Sequence, residues 1–263
     1  MSERLGRLRQ SMANVGLDGF LVSAPVEDTF HTHAANRRYL SGFTGSMGWL
    51  LITTDSAFIA VDFRYFEQAE REATGFHLFR TSGGMENWLP QLLGEAALMK
   101  KRVGFEPAGV TVSTYQTMKK ALEKLPADER PKLLAAPPLV EELRVIKEPS
   151  EVAALQRAVD LGDEAFEQVA QRIEPGWTEL QVAWEIERYA REHGADGLSF
   201  ETIVATGPWG AMPHAQPRDR PIQRGDLLRL LDGAQLGDDG RRGQELRTVG
   251  GREGLQRLLH SLE

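Results

Sequence analysis

The chain has 263 residues, of which 41% are hydrophobic and 26% are charged, and this composition is typical of a globular protein. Its formal net charge of −7 argues against a nucleic-acid partner and against an anionic membrane surface, since both need clustered positive charge. The absence of cysteine excludes a disulfide scaffold, a cysteine-ligated metal and a thiol nucleophile, and it fits a cytoplasmic location. No apolar run approaches the roughly 20 residues that a membrane-spanning helix needs.

The first half of the chain alternates helix and strand patterns. Leu5, Leu8 and Met12 recur at helical spacing and predict an N-terminal helix that Gly16 ends. Helical spacing recurs at residues 88–93 and 115–125. Short apolar runs predict strands at residues 19–22, 49–52, 58–61 and 102–105. Such alternation predicts a mixed α/β (α+β) domain.

Prolines crowd residues 126–138 and indicate a domain boundary. Pro149 is predicted to be the first residue of a long helix, where its missing N–H leaves no hydrogen bond unmade. Thr178 and Gln181 have the spacing of a capping box and predict the start of a second helix. The buried face of the first helix is predicted to be its large apolar stripe, Val152, Leu155, Val159, Phe166, Val169 and Ile173.

Strands are also predicted at residues 200–205 and 227–231, with a proline-rich loop between them. His214 lies in this loop, and prolines on either side of it favour a stiff backbone. An imidazole there can carry a proton or donate a hydrogen bond to a substrate, or it can simply hydrogen-bond the backbone. His31 and His33 would share a face of a strand and could bind a metal, although a solvated pair is the simpler interpretation.

Carboxylates cluster near the C-terminus. Such a cluster suits divalent cations, but in a glycine-rich stretch it is more often the charge of a solvated loop. The members of this cluster are Asp226, Asp232, Asp238, Asp239 and Glu245.

Several segments, in this order and spacing, resemble the creatinase/aminopeptidase P/prolidase family of pita-bread hydrolases. They are residues 36–46, which read Asn-Arg-Arg-Tyr-Leu-Ser-Gly-Phe-Thr-Gly-Ser, and residues 62–69, 140–152, 197–208, 213–215 and 224–228. The resemblance implies a creatinase-type N-terminal domain at residues 1–138 and the first half of a pita-bread domain at residues 139–232. Residues 233–263 are expected to form a divergent, poorly ordered tail.

The resemblance also implies an activity, which is hydrolysis of the bond before proline in a peptide substrate. Two divalent metals, commonly Mn²⁺, Co²⁺ or Zn²⁺, would carry it, and the protein would be a homodimer. His214 would be the catalytic residue that contacts the substrate and helps to transfer a proton. Phe200 would be a further substrate-binding residue.

The chain departs from the family pattern at the metal ligands. Asp232 is the counterpart of the first ligand and Glu245 a weak counterpart of the second, while the expected histidine and two further glutamates have no counterpart. Trp209 replaces a small polar residue. We therefore expect a C-terminally shortened member with little or no activity, because metal affinity needs several preplaced ligands. The alternatives are a metal-free, creatinase-like hydrolase that uses His214 and a non-catalytic peptide-binding or dimerisation module.

Overall fold

The computed structural model of the chain describes residues 2–23 and 32–235. The chain forms two compact units, Met1–Ile146 and Lys147–Glu263. Helices and strands occur in both units, so the predicted mixed α/β class is confirmed. The predicted domain limits at residues 138 and 232 stay predictions. Among the described residues, no helix has both the length and the apolar character that crossing a bilayer requires.

The first unit is built on a six-stranded sheet with the strand order β4-β3-β2-β1-β5-β6. Strand β2 is antiparallel to both of its neighbours, and the other pairs are parallel. The strands are β1 (Gly19–Val22), β2 (Trp49–Thr53), β3 (Ala57–Val61), β4 (His77–Arg80), β5 (Arg102–Phe105) and β6 (Lys132–Ala135). The helices are α1 (Ser2–Asn14), α2 (Thr32–Ser41), α3 (Phe66–Glu72), α4 (Met85–Glu95), α5 (Val112–Glu123) and α6 (Leu139–Val145).

Both faces of this sheet are covered, which explains why its central strands read as continuous apolar runs. Every residue of β1, β2 and β3 is buried. Helix α1 contributes Leu5, Leu8 and Met12 to the core cluster on one face, whereas α4 and α5 contribute to the other. The predicted strands and the N-terminal helix are therefore confirmed, and Gly16 follows the helix with a φ of 68°.

As far as residue 235, the second unit contains two α-helices, α7 (Pro149–Ala170) and α8 (Glu179–Glu192), and two small antiparallel sheets. One sheet pairs β8 (Ile203–Thr206) with β9 (Leu228–Leu231). The other pairs β7 (Gly197–Leu198) with β10 (Ala234–Gln235). The predicted helix start at Pro149 and the Thr178 capping box are confirmed.

The buried face of α7 differs from the predicted stripe. Val152 is 54% exposed, and the residues that α7 buries are Glu151, Ala154, Ala158, Leu161, Ala165 and Val169. Three of these six are alanines, which allow the helix to pack closely, and the bulkier Leu155, Val159 and Phe166 lie at the edge of the contact. The prediction was correct for Val169 and Ile173, which are buried, and wrong for Val152. Close packing along the rest of the helix favours the small side chains of alanine.

Three further predictions from the sequence need correction or fall partly on residues that the structure does not describe. Residues 200–205 do not form one strand, because β8 begins only at Ile203 and continues to Thr206. Ala234 and Gln235 form β10, although they belong to the expected tail. His33 lies in helix α2 and not on a strand, and His31 and residues 236–263 lie outside the described residues.

Candidate functional site

The His214 loop, residues 207–217, leaves the end of β8 and returns toward β9. It begins with a 3-10 turn, Gly207–Ala211, in which Pro208 occupies an early position. His214 is exposed, whereas Ala215 beside it is buried. No described residue hydrogen-bonds the His214 ring, so the imidazole is available to a molecule in solution.

Trp209 stabilises the loop through a hydrogen bond and a cation–π contact. Its indole Nε1 donates a hydrogen bond to the carbonyl oxygen of Gln216 at 3.2 Å, which joins the two sides of the loop. The guanidinium of Arg218 lies 4.5 Å from the centre of the Trp209 ring, within the range of a cation–π contact. Trp209 therefore has a defined structural role in this chain, although it departs from the family pattern.

Glu179, the first residue of helix α8, meets both ends of the loop. Its Oε1 accepts hydrogen bonds from the Thr206 N–H at 2.9 Å, the Thr206 hydroxyl at 2.6 Å and Arg218 Nη2 at 2.9 Å. Its Oε2 accepts from the Arg218 backbone N–H and from Arg218 Nε, both at 3.0 Å. Glu179 is 0% exposed, so its carboxylate is a buried group that links the two ends of the loop and not a surface charge.

The pKa of Glu179 is set by its burial and by its hydrogen-bond donors. Burial alone would raise the pKa, because it penalises the charged form. The hydrogen bonds from Arg218 and Thr206 outweigh burial and lower the pKa of Glu179 to about 2. The carboxylate is therefore ionised throughout the physiological range.

Two other arginines support the same loop. Arg229, on β9, donates from Nη1 to the carbonyl oxygens of Gly210 at 3.3 Å and Met212 at 3.2 Å. Arg220 donates to the hydroxyl of Thr206 and pairs with Asp226 at 2.9 Å. This pairing lowers the pKa of Asp226, so this member of the carboxylate cluster is engaged in a structural ion pair.

The predicted metal ligands do not form a metal site in the described part of the chain. Asp232 is 6% exposed and follows β9, and Glu245, Asp238 and Asp239 lie outside the described residues. Across residues 2–23 and 32–235, no group of three or more His, Cys, Asp or Glu side chains could hold a metal ion. These residues do not fit the two-metal centre that the resemblance implies.

Phe200, the predicted substrate-binding aromatic, is half-buried just before β8. Its neighbour Ser199 is buried and donates its N–H to the Gly233 carbonyl at 2.9 Å and its hydroxyl to the Ala234 carbonyl at 2.9 Å. The roles of Phe200, His214 and Asp232 stay predictions.

In the first unit, the family-like segments form a buried polar contact at Arg37 and an exposed contact between Asp62 and Arg64. Arg37 is buried and donates to the carbonyl oxygens of Gly45 and Gly48, and its guanidinium lies 5.2 Å from the centre of the Phe43 ring. Burial lowers the pKa of Arg37 to about 10. Asp62 accepts hydrogen bonds from the N–H and the guanidinium of Arg64.

A second buried glutamate, Glu106, lies at the end of β5. It accepts hydrogen bonds from the Ser23 N–H at 2.9 Å, the Ser23 hydroxyl at 3.1 Å and Asn36 Nδ2 at 2.7 Å. Asn36 Nδ2 also donates to Glu141 at 2.7 Å, and Asn36 Oδ1 accepts from Arg144 at 2.7 Å. Burial, and to a smaller extent the neighbouring Glu141, raise the pKa of Glu106 to about 7 despite these donors.

Sequence reasoning missed Glu179, Arg218 and Arg229. The only local signal was the position of Glu179 directly after an N-cap threonine, where carboxylates are common for reasons of helix stability alone. Arg218 lies 39 residues further along the chain, so only the folded structure connects the two.

Comparison with known proteins identifies a family for each part of the chain. Residues 4–146 match the Creatinase/Prolidase N-terminal domain, and residues 153–253 match Metallopeptidase family M24. The "Uncharacterized peptidase YqhT" of Bacillus subtilis is 34% identical over 231 residues, which cover 88% of this chain and 61% of that protein.

Solved structures of related proteins show the same architecture. An Xaa-Pro dipeptidase from Bacillus anthracis aligns with a TM-score of 0.76 at 33% identity, over 89% of this chain and 61% of its own. An X-Pro aminopeptidase from Thermotoga maritima aligns with a TM-score of 0.75 at 28% identity, over 88% of this chain and 61% of its own. The present chain thus spans about 61% of the length of these relatives. It belongs to the creatinase/prolidase family of Xaa-Pro peptidases, with an N-terminal creatinase/prolidase domain followed by a region of the M24 metallopeptidase family.

Proposed function

We propose that this protein recognises peptides with proline after the first residue through the His214 loop, and that it hydrolyses them weakly or not at all. The names of its relatives, Xaa-Pro dipeptidase and X-Pro aminopeptidase, indicate the substrate class. The observation that carries the proposal is a braced loop with an exposed histidine, beside carboxylates that do not form a metal-binding group among the described residues.

The His214 loop supports peptide recognition on physical grounds. A preorganised loop loses little conformational entropy when a ligand binds, so more of the contact energy remains as affinity. The exposed imidazole of His214 can donate a hydrogen bond to a peptide carbonyl oxygen or accept one from a terminal ammonium. Half-buried Phe200 offers an apolar surface that suits a proline ring.

Weak hydrolysis follows from the ligand set. In M24 enzymes a divalent metal, Mn²⁺, Co²⁺ or Zn²⁺ by resemblance, would polarise the scissile carbonyl and activate water. Asp226 is already paired with Arg220, and Asp232 belongs to no group of three or more possible metal ligands in residues 2–23 and 32–235. We therefore assign no reaction step to a metal in this part of the protein.

A binding measurement tests the proposal. Titration calorimetry of the full chain with the tripeptide Ala-Pro-Ala should show saturable binding in chelator, and Ala-Ala-Ala should bind at least about fivefold more weakly. His214→Ala should weaken Ala-Pro-Ala binding by about tenfold, the value of one hydrogen bond to an ionisable group. His193→Ala is the matched control, because this histidine is exposed at the end of α8 and should leave binding unchanged.

Equal affinity for the two peptides, or an unchanged affinity in His214→Ala, would contradict this assignment. Chelator-insensitive hydrolysis that His214→Ala abolishes would instead favour the metal-free, creatinase-like alternative. The homodimer and the cytoplasmic location stay predictions from the resemblance and the composition.

A further inference from the structure

We propose that Glu179 is a positioning residue for His214, because its one buried carboxylate holds both ends of the loop that carries this histidine. The inference rests on the function proposed above for the loop, and it adds the residue that controls the loop's geometry.

The two ends of the loop meet at a single functional group. Thr206, just before the loop, donates two hydrogen bonds to Glu179, and Arg218, just after it, donates three. An ionised carboxylate offers about four lone-pair directions, so these five donors saturate it. The separation of the loop ends is therefore set by the dimensions of one carboxylate and two short hydrogen bonds.

Holding the ends matters because the His214 ring is exposed and makes no hydrogen bond to any residue in the described part of the chain. The position of the imidazole therefore depends on the loop backbone that carries it. That backbone is braced at its middle by Arg229, which donates to the Gly210 and Met212 carbonyls, and across its width by Trp209. Both braces depend on the spacing of the loop ends, and Arg218 itself packs on the Trp209 ring.

Only a carboxylate can accept from all of these donors. Glutamine has nearly the same shape, but its amide N–H₂ would face the donors of Thr206 or Arg218 and leave them unpaired. Glu179→Gln therefore removes the buried link between the loop ends with a minimal change of volume. Arg218→Met removes the guanidinium donors and keeps an apolar stem against Trp209, and it is the second variant because Arg218 is half-exposed and outside the core.

Nuclear magnetic resonance of the full chain provides the test. The solvent exchange of the Trp209 indole N–H, assigned by comparison with Trp209→Phe, reports on the loop, and the ring signals of His214 report on its surroundings. We expect Glu179→Gln and Arg218→Met each to speed this exchange by about tenfold or more and to shift the His214 signals. The indole signal of Trp177, which packs against the hydrophobic core of the second unit, should stay in place and show that this unit is folded in each variant.

Glu185→Gln is the matched control. Glu185 lies on the same helix and pairs with Arg172 at 3.4 Å and Arg188 at 2.6 Å, but it does not contact the loop. This variant should leave the Trp209 and His214 signals at their original positions.

The result that overturns the proposal is a folded Glu179→Gln or Arg218→Met protein with unchanged Trp209 exchange and unchanged His214 signals. Should Glu179→Gln fail to fold, Arg218→Met decides alone. The same samples, titrated with Ala-Pro-Ala, separate this inference from the proposed function. Faster exchange in a protein that never binds the peptide would support the role of Glu179 and contradict the function, whereas peptide affinity that falls together with faster exchange would support both.

Discussion

Two buried glutamates, one in each unit, have opposite ionisation behaviour. Glu106 is 6% exposed and Glu179 is 0% exposed, and each accepts hydrogen bonds from a backbone N–H and from a hydroxyl. Yet the pKa of Glu106 is raised to about 7, and the pKa of Glu179 is lowered to about 2.

The difference arises from the charge of the remaining partner. Glu179 has the guanidinium of Arg218 within 3.0 Å, whereas Glu106 has the neutral amide of Asn36 and, beyond it, the negative charge of Glu141. A cation compensates the lost hydration of a buried carboxylate, and neutral donors do so only in part. Glu179 in the second unit is therefore ionised near neutral pH and forms a structural ion pair, whereas Glu106 in the first unit can gain or lose its proton near neutral pH.

The largest effect is expected from removing the buried carboxylate of Glu179. Glu179→Ala leaves several donors without an acceptor, and we expect the free energy of unfolding to fall by about 3 to 4 kcal/mol. The loss is placed at the low end of the range for buried pairs because half-exposed Arg218 can be hydrated in the variant. Urea denaturation of wild type, Glu179→Ala and the control Glu185→Gln would measure it. A loss no larger than that of Glu185→Gln would contradict the role of the carboxylate.

The second effect is the contribution of Glu106 to the pH dependence of the free energy of unfolding. Its folded-state pKa of about 7 lies above the ordinary value of 4.5, so the folded protein binds the proton more tightly than the unfolded chain does. Its contribution to stability is therefore fully present below about pH 4.5 and is lost as the pH rises through about 7. The total change is at most about 3 to 4 kcal/mol, since one pKa unit corresponds to about 1.4 kcal/mol.

Glu106→Gln should remove this dependence. The difference in free energy of unfolding between wild type and the variant, measured from pH 4.5 to 8.5, isolates Glu106 from other titrating groups. A difference that stays constant across this range would show that Glu106 has the same pKa in the folded and unfolded states, and would contradict the raised value.

A smaller effect is expected from the brace inside the His214 loop. Trp209→Phe keeps an aromatic ring under Arg218 but loses the indole donor to the Gln216 carbonyl. We expect a loss of about 1 kcal/mol in the free energy of unfolding, the usual net value of one hydrogen bond. An equally large loss in Trp184→Phe, at an exposed position of α8, would attribute the effect to a general change of tryptophan and not to this bond.

The smallest effect sharpens the comparison of the two glutamates. Glu141→Gln removes the negative charge near Glu106, so the pKa of Glu106 should fall, although burial would still hold it above the ordinary value. The pH midpoint of the stability change should therefore move down by about half a unit to one unit. A midpoint that does not move would show that desolvation alone raises this pKa.

Local patterns predicted the parts of the fold that depend on neighbouring residues. The strand at residues 19–22, the helix start at Pro149 and the Thr178 capping box were all correct, since each depends on a few adjacent side chains. The buried face of α7 was predicted only in part, because the choice between Ala158 and Val159 depends on how closely the neighbouring elements approach.

The candidate site was predicted only in part. The stiff loop around His214 could be identified from its prolines and from the family resemblance. Its attachment to Glu179 could not, since Arg218 and Thr206 are distant in sequence and neither forms a motif with Glu179. The ionisation of Glu106 was equally hidden, because it depends on burial at the end of β5 and on Glu141 from helix α6.

The most direct test of the account is the turnover of an Xaa-Pro dipeptide by the purified full chain with Mn²⁺ and, in parallel, with a chelator. The account predicts little or no turnover, unchanged between Mn²⁺ and chelator, while the Ala-Pro-Ala peptide still binds. Turnover that requires Mn²⁺ would contradict it, and would mean that the chain completes a metal site with residues beyond the described ones or with a second copy of itself.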